Sequence, residues 1–161
     1  MIFSPQSKVW IYQSNRAFTP TEVIAIQQKL DEFTEQWKAH GHQLKAKAEI
    51  PYNFFIVLIV DQDTANATGC SIDSSVRVIK EIEQAFNVDL FDRFNMAYKI
   101  NDEVHVNSKE DFETLITIKK ITPETIVFNN LVQTLAEYET KWELPLAESW
   151  HKMIFTEQLN A

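Results

Sequence analysis

Residues 69–75 carry the side chains that are best suited to chemistry in this chain. They combine a glycine, a thiol, hydroxyl groups and a carboxylate, on Gly69, Cys70, Ser71, Asp73, Ser74 and Ser75. If a helix begins here, its free backbone N–H groups would bind a phosphate or a carboxylate. Arg16 or Arg77 would add cationic donors to that site. The segment therefore predicts an anion site at the start of a helix.

Two other interpretations of the same segment stay open. A thiol close to a helix start is a candidate nucleophile, although no histidine lies near Cys70 in the sequence to pair with it. In a purely structural interpretation, Gly69 makes the turn, Ser71 or Asp73 caps the helix, and Cys70 is a small buried hydrophobic residue. Because Ser, Asp and Gly are what any helix start prefers, the structural interpretation is favoured.

Two carboxylates follow the most apolar stretch of the chain. Asp61 and Asp63 could hold Mg²⁺ for phosphoryl chemistry, since carboxylate oxygens suit hard cations. The ordinary alternative is a strand end that turns polar where it reaches water. His40 and His42 flank a glycine, but no companion Cys or His pair has the spacing of a zinc site. The sequence therefore identifies no metal site and no cofactor.

Strand and helix patterns alternate along the first hundred residues. Thr19, Pro20 and Glu22 form a capping box with proline at the first helical position, and apolar residues then recur at spacings of three and four. Residues 53–60 are apolar at nearly every position, which predicts a central strand covered on both faces. The predicted elements are a strand at 8–13, a helix from 20 to 37, strands at 42–49 and 53–60, a helix at 71–87 and a strand at 94–100.

This order predicts an α+β fold with a ferredoxin-like split βαβ core. We expect the first and third strands to lie side by side and parallel, so that the segments after them meet at one edge of the sheet. That predicted ligand edge consists of Ser14, Asn15, Arg16, Asp61, Asp63, Gly69, Cys70, Ser71, Asp73, Ser74 and Arg77.

The remainder of the chain is predicted to extend this core. Residues 103–107 form a hairpin with the strand at 94–100. Ser108 caps a short helix, although the run at 115–118, in which Ile116, Thr117 and Ile118 are β-branched, leaves a strand possible. Thr122-Pro123 opens a last long helix with an apolar repeat from Phe128 to Trp142. We expect one domain over residues 1–161, with residues 101–161 packed as an extension on the core at 8–100.

Composition excludes several classes of function. The 161 residues carry a net charge of −8, which repels nucleic acid. The apolar run at 54–60 is too short to span a membrane, and no export signal is evident at the amino terminus. A lone cysteine forms no internal disulfide, as is usual in the cytoplasm. With only Gly41 and Gly69, the chain has no GxGxxG and no P-loop motif.

Four segments, VWIYQSNRAFT, GCSIDSSVRVI, FNMAYKI and ESWHKM, resemble a family of short uncharacterised bacterial proteins that are sometimes labelled ABC transporter ATPases. The resemblance covers nearly the whole chain. It implies no catalytic residue, and the label conflicts with the absence of Walker A glycines and lysine.

The sequence predicts a non-enzymatic cytoplasmic module that binds a small anionic ligand or a protein partner, and a second copy of itself in a dimer is one such partner. The alternative is a metal-assisted enzyme that acts on a phosphorylated metabolite at the predicted ligand edge. A third possibility is a structural subunit of a larger complex, which would expose a large apolar patch.

Overall fold

The computed structural model describes residues 2–62 and 67–161, so Asp63 lies outside the described residues. It confirms a mixed α+β fold whose sheets in the described part are antiparallel. The chain folds into two compact units: residues up to Phe91 with Gln133–Glu139, and Asp92–Val132 with Thr140–Ala161. The predicted division at residue 100 falls inside a hairpin of the second unit, and a single domain over all 161 residues stays a prediction. Among the described helices, none has the length and apolarity to cross a membrane.

The first unit is built on a sheet in which β5 (Phe55–Asp61) lies between β1 (Lys8–Gln13) and β4 (Lys45–Glu49). All seven residues of β5 are buried, as expected for a central strand covered on both faces. On the far edge of β1, Val9 N–H donates to the Gln133 carbonyl at 3.0 Å. The apolar run that the sequence shows is thus the centre of this sheet.

Two long helices pack on one face of this sheet. The first, α1 (Pro20–Gln36), starts with the expected capping box between Thr19 and Glu22, and the second is α2 (Gly69–Phe86). Their inward residues form one core with the sheet, and its fully buried members are Ile26, Leu30, Ile56, Leu58, Ile79 and Ile82. A short hairpin of β2 (Lys38–Ala39) and β3 (His42–Gln43) turns at Gly41, whose φ of 79° suits a residue without Cβ. A continuously buried central strand, apolar stripes on the two helices and local caps therefore determine this unit.

The expected parallel pairing of the first and third strands is wrong. β1 and β5 run antiparallel, with Lys8 opposite Val60 and Gln13 opposite Phe55. The crossover through α1 leaves β1 and β4 parallel on either side of β5, and the short connection with the 3-10 turn Pro51–Asn53 reverses the chain between β4 and β5. β5 is therefore antiparallel to both neighbours. The ferredoxin-like arrangement is not confirmed, since the predicted fourth strand pairs in the sheet of the second unit.

The second unit contains a four-stranded sheet in the order β7-β6-β8-β9. The strands are β6 (Met96–Ile100), β7 (Glu103–Asn107), β8 (Ile126–Phe128) and β9 (Glu143–Pro145). The β6–β7 hairpin is confirmed, with positive φ at Asn101 and Asp102. Its helices are α3 (Lys109–Thr117), capped by Ser108 as expected, and the short α5 (His151–Ile154) and α6 (Thr156–Leu159). A 3-10 turn, Leu146–Glu148, follows β9.

The long helix predicted after Thr122 is wrong. The chain forms β8 there, and a helix, α4, spans only Leu135–Lys141. Thr125 Oγ1 accepts a hydrogen bond from Thr122 N–H at 2.9 Å and closes a turn, after which Ile126 and Val127 enter the sheet. β-branched residues suit a strand, so their local preference prevails over the apolar repeat.

Shortening a side chain in the centre of the first unit should lower stability strongly. Leu58 is fully buried in β5, so Leu58→Ala leaves a cavity and should reduce the free energy of unfolding by about 3 kcal/mol in urea titrations. Leu131→Ala is the matched control, because Leu131 is 65% exposed, and should change stability by less than about 0.5 kcal/mol. Equal losses in the two variants would contradict the central position of β5.

Candidate functional site

The predicted ligand edge does not assemble. Because β1 and β5 are antiparallel, the segment after β1 lies at the start of β5, where Ser14 N–H donates to the Phe54 carbonyl at 2.8 Å. Asp61, at the end of β5, lies across from the beginning of β1 instead. The structure therefore keeps Ser14, Asn15 and Arg16 together and separates them from Asp61 by the length of the sheet.

Arg16 connects three parts of the first unit. Its guanidinium donates to both carboxylate oxygens of Glu22 at 2.8 and 2.9 Å, and to the backbone carbonyls of Phe86 at 2.7 Å and Ala17 at 3.0 Å. The Arg16 hydrogen bond is the main reason why the pKa of Glu22 falls to about 2 from its usual 4.5, and the Thr19 N–H lowers it further. Arg16 thus joins the start of α1 to the end of α2.

Asn15 and Ser14 also serve the structure. Asn15 Oδ1 accepts from Asp89 N–H at 2.9 Å, and Asn15 N–H donates to the Asp89 carbonyl at 3.1 Å. The buried Ser14 hydroxyl accepts from Arg16 N–H at 3.3 Å. The two bonds of Asn15 join it to Asp89 in the loop after α2, at the opposite end of that helix from residues 69–75.

Asp61 is buried and ion-paired. Its carboxylate lies 3.3 Å from Lys45 Nζ and accepts from Ser4 N–H at 3.1 Å. Lys45 also donates to the Ile2 carbonyl, and the ammonium groups of Lys45 and Lys47 lie 5.0 and 4.9 Å from the ring centroid of Phe3. Asp61 therefore fastens the amino-terminal segment to the sheet, a structural role that also satisfies a buried charge.

The start of α2 follows the structural interpretation in part. Thr68, and not Ser71 or Asp73 as predicted, is the N-cap of α2. Ser71 lies inside the first turn, where its Oγ accepts from Thr68 N–H at 2.6 Å, and its carbonyl accepts from Trp37 Nε1 at 2.8 Å and anchors the end of α1. Cys70 is exposed, so its expected burial is wrong. Gly69 is exposed as well.

The remaining candidates on α2 do not converge with those around Arg16. Ser74 Oγ donates to the Cys70 carbonyl at 3.1 Å, while Asp73 and Arg77 are exposed. Within residues 2–62 and 67–161, no group of three or more His, Cys, Asp or Glu could hold a metal ion. Asp63, the other predicted magnesium ligand, lies outside the described residues.

A buried serine–histidine pair in the second unit was missed by the sequence analysis. Ser149 Oγ lies 2.7 Å from His151 Nδ1, and both residues are buried. Burial lowers the pKa of His151 to about 4 from its usual 6.5, so the ring is neutral at pH 7. Burial from solvent makes this pair a poor nucleophile for any substrate. The spacing of two residues alone could have suggested the contact, but not its burial.

A second missed feature is the solvent face of α1. Ile24 is 71% exposed and lies at one end of an open depression on the surface of α1, whose other lining residues include Asp31, Glu32 and Glu35. The signal was present in the sequence, because Ile24 stands outside the inward apolar stripe of α1.

Comparisons of this chain with models of protein families, with curated proteins and with solved structures gave no match.

Replacing Arg16 should raise the pKa of the Glu22 carboxyl. In Arg16→Gln we expect the pKa of Glu22, followed by NMR of its side chain, to rise from about 2 toward 4.5. The stabilising bond is present above pH 4.5 and is lost as the pH falls toward 2. Because Arg16 is 39% exposed and solvent screens the pair, the variant should lose only about 1 kcal/mol at pH 7.

The control for this experiment is Lys29→Gln, which removes the exposed ion pair with Glu81 and leaves the Glu22 carboxyl untouched. Its Glu22 titration should match that of the unmodified chain. A Glu22 midpoint that stays near 2 in Arg16→Gln would contradict the proposed cause.

Acid should destabilise the second unit through His151. Its folded pKa lies below its usual value, so the unfolded chain binds the proton first and stability is lost as the pH falls from 6.5 to 4. The loss should reach about 3 kcal/mol at the acid end of that window. His151→Gln should show a flatter dependence of the urea midpoint on pH, whereas His40→Gln, at an exposed position, should keep the original slope. Identical slopes for His151→Gln and the unmodified chain would refute this role.

Proposed function

We propose that this chain is a non-enzymatic module that binds a protein partner. The observation that carries the proposal is that the polar groups predicted to bind a ligand already form bonds within the chain. Arg16, Asn15, Ser71 and Asp61 each form bonds within the chain that hold its own structure. The face of α1, in contrast, presents apolar and acidic side chains that the fold does not use.

The engagement of Arg16 weighs against a small anionic ligand at this position. An incoming phosphate would have to displace the Glu22 carboxylate, which already occupies both terminal nitrogens of the guanidinium. The displaced carboxylate would then repel the phosphate from close range. An anion therefore has no net attraction to gain at Arg16.

The enzyme alternative has weaker support for a similar reason. A magnesium ion would need carboxylates that converge on an accessible position. Asp61 is 3% exposed and its charge is already matched by Lys45. Cys70, the candidate nucleophile, is exposed on α2, and in the described part of the chain it belongs to no group of three or more His, Cys, Asp or Glu that could hold a metal ion.

A protein partner is consistent with the remaining surface. Ile24 is 71% exposed on a helix whose inner face is fully packed, so it contributes little to the core. A cytoplasmic location, expected from the lone cysteine, is part of the proposal.

Two measurements test this proposal together. Thermal-shift assays with inorganic phosphate, nucleoside phosphates and Mg²⁺ should leave the unfolding midpoint unchanged, because a ligand of the native state would raise it. Quantitative affinity purification of the tagged chain from its own cells, against the tag alone, should recover one protein in near-stoichiometric amount, and light scattering should reveal any second copy.

A midpoint rise with a phosphate compound that disappears in Arg16→Lys would overturn the proposal in favour of an anion site. So would a monomeric chain that recovers no protein above the tag-only control. Arg16→Lys is the sharper variant here, because it keeps the charge and loses the two-pronged geometry of the guanidinium.

A further inference from the structure

The solvent side of α1 forms a continuous face that we call the acidic face, defined by Ile24, Gln28, Asp31, Glu32 and Glu35. All five residues are exposed, and they line the open depression on the surface of α1. Residues three and four apart lie above one another on a helix, so these side chains follow one line along α1. At 1.5 Å per residue the line is about 16 Å long, which is three turns of a helix.

In the described part of the chain, the carboxylates of the acidic face have no cationic partner. Asp31 and Glu32 accept hydrogen bonds from glutamine side chains, from Gln27 at 2.8 Å and Gln28 at 3.4 Å. Neither they nor Glu35 forms an ion pair with any residue of 2–62 or 67–161. Three negative charges therefore face water together.

The position of these acids also opposes the stability of α1. The last turn of the helix carries Glu35 and no basic residue, although the carboxyl end of a helix dipole favours cations. Asp31 and Glu35 are like charges four residues apart, and Glu32 and Glu35 are three apart, so each pair repels. The one cation of α1, Lys29, is directed to Glu81 on α2 at 3.1 Å. An external cation would relieve both unfavourable interactions.

The two ends of the face differ in chemistry. Ile24 and the half-buried Val23 make the amino-terminal end apolar, and the acids make the carboxyl-terminal end negative. A partner that fits must therefore present an apolar side chain at one end and cations over the next two turns. A nucleic acid or an anionic membrane is excluded by charge, because both are negative.

We propose that the acidic face of α1 docks a cationic amphipathic helix of a partner protein. An apolar side chain of that helix packs on Val23 and Ile24, and its lysines or arginines pair with Asp31, Glu32 and Glu35. The inference rests on the proposed function, because it names the partner chemistry of the protein-binding surface. Its electrostatic part should make binding faster and sensitive to salt.

The test uses an 18-residue synthetic helix with leucines on one face and lysines on the other, followed by fluorescence anisotropy with the full chain. The variant Asp31→Asn/Glu32→Gln/Glu35→Gln should bind this peptide at least about tenfold more weakly, since three charge pairs are lost. Ile24→Ser should weaken binding about fivefold through lost apolar burial. The same peptide with glutamates in place of lysines should not bind.

The matched control neutralises three exposed carboxylates elsewhere, in Glu124→Gln/Glu148→Gln/Glu157→Gln. It changes the net charge by the same amount and should alter the Kd less than about twofold. Neutralising the acidic face should also raise the thermal midpoint of the free chain, because it removes the repulsion within α1. Tighter folding combined with weaker binding is the signature of a surface shaped by a partner.

Three results would overturn the inference. The first is equal weakening in the two triple variants, which would mean that net charge alone attracts the peptide. The second is the absence of peptide binding to the unmodified chain. The third is unchanged binding in the acidic-face variant. None of them contradicts the proposed function, which fails on its own through the absence of any partner in the affinity purification.

Discussion

Burial of β5 on both faces is the constraint on which the first unit depends. A strand with seven buried residues can satisfy its backbone N–H and C=O groups only through a ladder partner on each edge. β1 and β4 supply those partners, and α1 with α2 cover one face. The crossover through α1 makes β1 and β4 parallel to each other, and the short connection between β4 and β5 makes β5 antiparallel to both, because a tight turn joins antiparallel strands.

The same constraint determines which neighbours the polar side chains at the strand ends contact. With β1 and β5 antiparallel, Arg16 and Asp61 lie at opposite ends of the sheet, and each meets different neighbours. A charge close to a packed interior must find a partner there, since burial without one is costly. Glu22 and Lys45 are those partners, so residues that suggested a ligand site are explained by the need to satisfy charge within the fold.

Features set by neighbouring residues could be predicted from the sequence, in the fold and in the candidate site alike. The capping box of Thr19 and Glu22 and the cap at Ser108 depend only on groups within a few positions. At the start of α2 the sequence indicated a helix start with Ser71 close to it, but the N-cap is Thr68. Strand direction depends on distant segments. After Thr122 the sequence carries both a helical apolar repeat and β-branched side chains, so pairing with a neighbouring strand decides between helix and strand there. The burial of His151 depends likewise on the whole core around it. Polar residues in a single sequence therefore show which chemistry is available, but not which groups the fold has already used.

Helix α1 follows the rules of helix stability at one end and breaks them at the other. Glu22 lies in the first turn, where the dipole favours an acid, and it completes the capping box. Glu35 lies in the last turn, where an acid is unfavourable by a few tenths of a kcal/mol. Burial of Ile26 and Leu30 contributes about 2 kcal/mol each, so the fold tolerates the acids easily. Because the outer side chains of α1 add so little to stability, binding rather than folding can determine their arrangement. An acid that opposes helix stability and brings no structural benefit therefore points to the solvent face of α1 as a binding surface.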